Sequence, residues 1–240
     1  MEKYPFQLST VCSKLMDNGI KVSKNTLKRF LKKLGYSYKR ARKSINKCNK
    51  EAFDKAKEYI ATLKKDILKT KNQNLYFFDE SSFSLIPNIP YGWSPKKETI
   101  KIESSHSTSI KVLGFLGLDN TLKAYKTHSS INSDIVIETF DKFIQDLPKD
   151  EKVTVILDNA STHRSNKFKD KIKDWKKKGL ALYFLPPYSP ELNRIEILWR
   201  FIKYHWIEIK DYSSINSLEI YIDKVLRSYG SDKAYEINFR

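Results

Sequence analysis

From Ile20 onward the apolar positions fall at helical intervals. Leu27, Phe30, Leu31 and Leu34 stand at i, i+3, i+4 and i+7, the stripe of a helix packed along one side. Ser23 ahead of the stripe is a favourable N-cap and Gly35 behind it a favourable C-terminal stop. Pro5 to Met16 reads as a preceding helix that closes at Asp17-Asn18-Gly19. Two helices around a glycine turn predict a helix-turn-helix, and Tyr36 to Arg40 could run back as a wing strand. Glu51 to Lys69 keeps a helical period through Ala52, Phe53, Ala56, Tyr59, Ile60, Leu63, Ile67 and Leu68. This predicts a connecting helix that packs on the domain after it, and Lys71 to Asn74 break its pattern.

Beyond residue 75 the period changes. Leu75 to Phe78 is a short apolar run ending at Asp79-Glu80, with Phe83 to Ile86 read as its returning hairpin partner. Ser109–Leu118, Thr121–Lys126, Lys152–Leu157 and Leu180–Leu185 also read as strands. Asp134–Leu147, Asn166–Lys178 and Pro190 to about Trp206 read as helices. The order predicts an α/β fold, one mixed sheet flanked by helices, preceded by a small all-α winged helix-turn-helix domain. The expected boundaries are 1–46 for the helix-turn-helix, 47–74 for the linker helix and 75–240 for the α/β domain.

Composition narrows the partner. Of 240 residues, 45 are Lys or Arg against 28 Asp or Glu, a net charge of +17, while 40% hydrophobic content supplies a core and excludes a disordered basic tail. No run approaches the ~20 apolar residues of a membrane helix, and MEKYPFQLST lacks the apolar run of a signal peptide. The expectation is a soluble cytoplasmic protein with no membrane partner. Cys12 and Cys48 are too few for a disulfide framework or a cysteine-built zinc site.

The charge is uneven. Residues 1–74 carry 20 basic against 6 acidic side chains, a balance of +14, whereas residues 75–240 carry 25 against 22, a balance of +3. That asymmetry suggests a segment gripping the phosphates of double-stranded DNA. The second helix shows Lys24, Asn25, Lys28, Lys32 and Lys33 opposite its apolar stripe, with Arg29 beside them. Lys24, Asn25, Lys28, Arg29 and Lys32 are therefore the candidate DNA contacts. A lysine face that is merely solvated is the competing reading, and local charge density favours DNA.

Two of the strands run apolar and then meet a carboxylate, at Asp79 and at Asp158. Functional groups collect at strand ends in such sheets, and paired carboxylates suit Mg²⁺, a hard cation that keeps positions open for phosphate and water. A lone Asp after a strand is more often a turn or cap residue; the pair carries more weight. In the segment Leu185–Trp199, Leu192, Ile195 and Trp199 share one helical flank, and Glu196 lies next to it. Glu196 could thus reach the sheet edge near both Asp residues, while Glu191 in the first turn suits the helix dipole.

Four motifs, DESSF from Asp79, YGWSPK from Tyr91, LDNASTH from Leu157 and LPPYSPELNRIEILW from Leu185, together resemble the bacterial insertion-sequence transposases of the Tc/mariner superfamily. The resemblance runs from residue 75 to about 206. It implies an RNase H-like domain with a DDE triad of Asp79, Asp158 and Glu196, the last two separated by 37 residues. It further implies two Mg²⁺ ions, with Mn²⁺ able to substitute, and hydrolysis at transposon ends followed by attack of the freed 3′-hydroxyl on target DNA. Terminal inverted repeats and target DNA would be the partners, with TA suggested as the target dinucleotide. A homodimer assembled on DNA in the nucleoid is also implied. Asn159 and His163 match motif positions as residues supporting the site or touching DNA.

Two departures stand out. Arg194 occupies a position usually held by Pro, read here as a tolerable surface change. One helix-turn-helix is present where related transposases carry two, so a second is expected upstream of Met1. The competing functions are a non-transposing nuclease of the same fold and a truncated or repurposed DNA-binding protein whose catalysis has lapsed.

Overall fold

The computed structural model describes residues 8–37, 49–70, 72–86, 88, 109–237 and 239. The wing residues Tyr38–Arg40 and the motif Tyr91–Lys96 lie outside them. Contacts divide the chain into two compact units, Met1–Ile45 and Asn46–Arg240.

The first unit contains α1 (Leu8–Asp17) and α2 (Lys24–Lys33). Ser23 caps α2 by accepting the Thr26 N–H at 3.1 Å. Gly35 at φ +80° lets the chain turn back so that the Tyr36 N–H reaches the Leu31 carbonyl at 2.9 Å. The expected stripe is only partly used. Leu27 is buried and Leu31 half-buried, while Phe30 and Leu34 stay 55% and 46% exposed, because two ten-residue helices offer each other too little surface to cover four large side chains.

The second unit begins with α3 (Lys50–Lys69), capped by Asn49 accepting the Ala52 N–H. Five strands follow: β1 (Gln73–Phe83), β2 (Ile110–Gly117), β3 (Leu122–Thr127), β4 (Lys152–Leu157) and β5 (Leu180–Phe184). They lie in the order β3-β2-β1-β4-β5. β1 pairs antiparallel with β2 and parallel with β4. Helices α4 (Ser133–Gln145), α5 (Asn166–Lys177), α6 (Ile195–Phe201) and α7 (Ile215–Ser228) complete the unit.

Alternation along β1 sends side chains to opposite faces. Leu75, Phe77 and Phe83 join Ile60 and Ile67 of α3, Ile195, Leu198 and Trp199 of α6, and Leu218 and Ile222 of α7. Tyr76 and Phe78 join Val136, Phe140 and Phe143 of α4 and Phe168 and Trp175 of α5. Two helical layers thus sandwich one mixed sheet. Among the described residues no helix is long and apolar enough to cross a membrane.

Two expectations are corrected. β1 does not stop at Asp79 but runs eleven residues to Phe83, and its antiparallel partner is β2, not Phe83–Ile86. The polar run Asp79-Glu80-Ser81-Ser82 looks like a strand end, yet its backbone is paired with Gly114 to Lys111. The long helix from Pro190 is also broken. A 3-10 turn, Pro190–Leu192, is followed by Asn193 in an extended conformation (φ −95°, ψ 102°), then α6, then a π-helical turn over Ile202–Trp206.

Candidate active site

Asp79 belongs to the strand at the centre of the sheet, and its neighbour β4 ends one residue before Asp158. The parallel register pairs Phe77 with Ile156, and continuing it two residues brings Asp79 level with Asp158. Asp79 shares its face of β1 with Phe77, the face covered by α6. There the antiparallel partner of Asp79 is Gly114. A Cβ built at Gly114 would lie 2.7 Å from Trp199 Cζ2 and 3.0 Å from Ile195 Cδ1, so the missing side chain is what lets α6 rest on the sheet. Glu196, between those two residues, is carried over Asp79.

A second tether holds the start of α6. The buried Asn193 donates from Nδ2 to the Phe78 carbonyl at 2.9 Å, one residue before Asp79, and its own carbonyl accepts the Glu196 N–H at 3.1 Å. Arg194 is not the surface residue expected. Its half-buried guanidinium donates to the Leu118 carbonyl at 2.8 Å and to Asn120 Oδ1 at 3.4 Å, and it lies 3.8 Å over the Phe239 ring. The backbone at Arg194 (φ −57°, ψ −33°) would still accept the proline usual there.

On the opposite side of Asp158 is His163, 1% exposed. Its Nδ1 lies 2.9 Å from Asp158 Oδ1 and its Nε2 3.1 Å from Glu80 Oε1. Burial alone would favour the neutral ring, but the hydrogen bonds and charges of Asp158 and Glu80 outweigh it and raise the pKa to about 9. At neutral pH the imidazolium therefore donates to both carboxylates. With so little exposed surface, the ring's polar side-chain contacts are with these two carboxylates. Asn159 is half-buried beside it.

The three carboxylates sense one another. Burial pushes the Asp79 carboxyl well above the usual range, and Glu196, Glu80 and Asp158 add to the rise against one backbone hydrogen bond. Glu196 is raised by desolvation, opposed by Lys203 and reinforced by Asp158. Asp158, despite some desolvation, is lowered by His163 and by the Ala160 N–H. Such a group of hard oxygen donors short of positive charge fits a divalent cation. Among the described residues no three Asp, Glu, His or Cys side chains are gathered as a ligand set, and Asp158 Oδ1 is engaged by His163 and the Ala160 N–H. Its other oxygen makes no hydrogen bond among the described residues.

Asp158, Asn159, Arg164, Tyr188, Asn193 and Glu196 contribute to the lining of an open cleft of about 640 Å³. Four contributors are absent from the candidates named from the sequence: Glu80, Gly114, Asn193 and Lys203. Lys203 Nζ lies 5.3 Å from the Phe83 ring centre; burial lowers its pKa, while Asp79 and Glu196 oppose that shift. Its spacing of seven from Glu196, two helical turns on one face, was the available signal. The candidate DNA contacts Lys24, Asn25, Lys28, Arg29 and Lys32 are all exposed on α2 of the first unit.

Against known proteins, a family model described as DDE superfamily endonuclease matches residues 74–219. Uncharacterized protein y4pE/y4sA of Sinorhizobium fredii (strain NBRC 101917 / NGR234) is 41% identical over 64 residues, which is 25% of this chain and 43% of that protein. Among solved structures, the Mos1 strand transfer complex superposes with a TM-score of 0.57 at 12% identity, covering 98% of this chain and 74% of the other. The Mos1 mariner paired end complex with Mn gives 0.59 at 11%, with 95% and 74% covered. The catalytic domain of Mos1 transposase gives 0.53 at 10%, with 79% and 86% covered. At these identities the likeness establishes the fold, an RNase H-like mixed sheet.

Proposed function

The chain belongs to the DDE superfamily endonucleases, and from that premise we propose that it is a DNA transposase. It would cut at the ends of a mobile element and join the freed 3′-hydroxyl to target DNA. The reading is carried by one observation: a carboxylate in mid-β1 lies level with the one that follows β4, and a third, on α6 packed over that face, is near enough to interact electrostatically with both.

Asp79, Asp158 and Glu196 would hold Mg²⁺, for which Mn²⁺ could substitute, in a pair of sites. Bound there, the ions would activate the attacking water or 3′-hydroxyl and stabilise the leaving oxygen. The chain's own part is positional. His163 keeps Asp158 ionised and aimed while holding Glu80 on the far side. Lys203 sets a cation near Asp79 and Glu196. The open cleft leaves room for a strand beside Glu196. Asn159 would support the site, and Lys24, Asn25, Lys28, Arg29 and Lys32 would hold terminal-repeat DNA. A homodimer formed on paired ends is part of the same reading.

Asp79→Asn, Asp158→Asn and Glu196→Gln each test it. Every one is expected to abolish Mg²⁺-dependent strand transfer in a gel assay with end-bearing duplex, with DNA affinity kept within about twofold because the grip is elsewhere. Strand transfer at the wild-type rate in any of them removes that residue from the site. Cleavage without joining by the wild type would make the protein a nuclease instead.

A further inference from the structure

Helix α5 carries more lysines than its packing uses. Phe168 and Trp175 are buried against the sheet. On the flank toward α4, Lys167 Nζ meets Asp134 at 2.9 Å and Lys171 Nζ meets Asp141 at 2.9 Å. These two have a structural reason to be basic. Lys169, Lys173 and Lys176 form a separate row, at i, i+4 and i+7, within about 60° of one another around the helix. All three are exposed, and none meets a carboxylate among the described residues. Asp170 and Asp174 stand on the ridge between the flanks, and only Lys177 approaches Asp174, at 3.8 Å.

Like charges at i, i+4 repel and weaken a helix. A row of them is tolerable where a polyanion supplies the missing charge. The row extends for about 10 Å along the axis, and duplex DNA presents one charge per ~1.7 Å of its own axis. Position gives it direction. At the head of α5 stands Arg164, exposed, without an ion pair among the described residues, and lining the same cleft as Asp158 and Glu196. At the tail, Lys176 and Lys152 line a common recess at the other ends of β4 and β5.

We propose that the Lys169–Lys173–Lys176 flank of α5, headed by Arg164, is a phosphate track for duplex DNA leading away from the carboxylate cleft. It rests on the reading of that cleft as a DNA-cutting site. The flank is a contact with the DNA backbone, separate from the basic helix of the first unit, and reads no sequence.

Two charge-matched variants of the full chain separate this from a bulk charge effect. Lys169→Gln with Lys173→Gln removes two of the three lysines of the unpaired flank, and Lys167→Gln with Lys171→Gln removes both lysines of the paired one. Affinity for a mixed-sequence duplex is measured in EDTA across a NaCl series, so that no cleavage enters the readout and loss of the catalytic reading would not alter it. The first variant is expected to flatten the slope of log K against log[NaCl] by about 1.8, at ~0.9 per phosphate contact, with an unchanged melting temperature. The second is expected to leave the slope nearly intact while lowering the melting temperature. Equal flattening by both, or none by the first, overturns the proposal.

Discussion

Gly114 faces Asp79 across the β1–β2 pair, and its lack of a side chain sets how far the third carboxylate stands from the first. The clash a Cβ would make is with the indole of Trp199 at 2.7 Å, a buried ring with no free end to swing aside. Gly114→Ala is therefore expected to lift α6 and to destabilise the unit by ~1–3 kcal/mol, the usual cost of overpacking a filled core. Strand transfer should fall further than stability alone explains, because Glu196 moves with the helix. Urea denaturation alongside the transfer assay checks both, and an alanine variant as active and as stable as wild type would refute the contact. Local sequence marks Gly114 only as a glycine within an apolar strand. A glycine inside an apolar strand signals close approach of something, but only the tertiary structure says that it is the helix bearing Glu196. Asn193 was hidden in the same way. Its motif drew attention to the glutamates, whereas its amide is what ties α6 to the carbonyl beside Asp79.

Between elements, the junction of α4 and α5 hangs on Asp141. It accepts the Trp175 indole N–H at 2.7 Å and a Lys171 Nζ hydrogen at 2.9 Å. Burial favours the neutral acid, but these two donors outweigh it and hold the carboxyl below the ordinary aspartate range. A depressed folded pKa contributes stability that is full above the unfolded value and lost as pH falls through the folded one. Wild type should therefore exceed Asp141→Asn in stability near neutrality, and the gap should begin to narrow at about pH 4 and close as pH falls through the lowered folded value. Urea midpoints for both proteins across that range test this, and a gap that stays constant would mean that ionisation of Asp141 contributes nothing. Most elements were legible because their apolar period is strong: β4, β5, α4 and α5 lie within a few residues of where alternation and helical stripes put them. β1 was misread because strand length here is decided by pairing with β2, which lies beyond a long intervening segment, and not by its own polar residues. The break at Asn193 escaped notice for a related reason: the i+3 and i+4 spacing of Leu192, Ile195 and Trp199 continues across it.

For the molecule as a whole, the placement of charge matters more than its total. The balance of +3 over residues 75–240 suggests a surface indifferent to DNA, yet it averages a carboxylate cluster with lysines located elsewhere. Acid and base cancel in number and not in position, so a sum over sequence could find the basic first unit and miss the unpaired flank of α5. The first unit poses the simpler case. Lys28 and Arg29 lie on an exposed face of α2, a helix whose Ser23 cap does not depend on them. Replacing both with Gln, itself a good helix former, removes two charges without loosening the fold. If α2 grips phosphates, affinity for duplex DNA should weaken and the salt slope flatten by about 1.8, while strand transfer at saturating DNA stays near wild type because the carboxylates are untouched. A slope that does not change would assign the lysines of α2 to solvent, and the +14 of residues 1–74 would then need another explanation than contact through this helix.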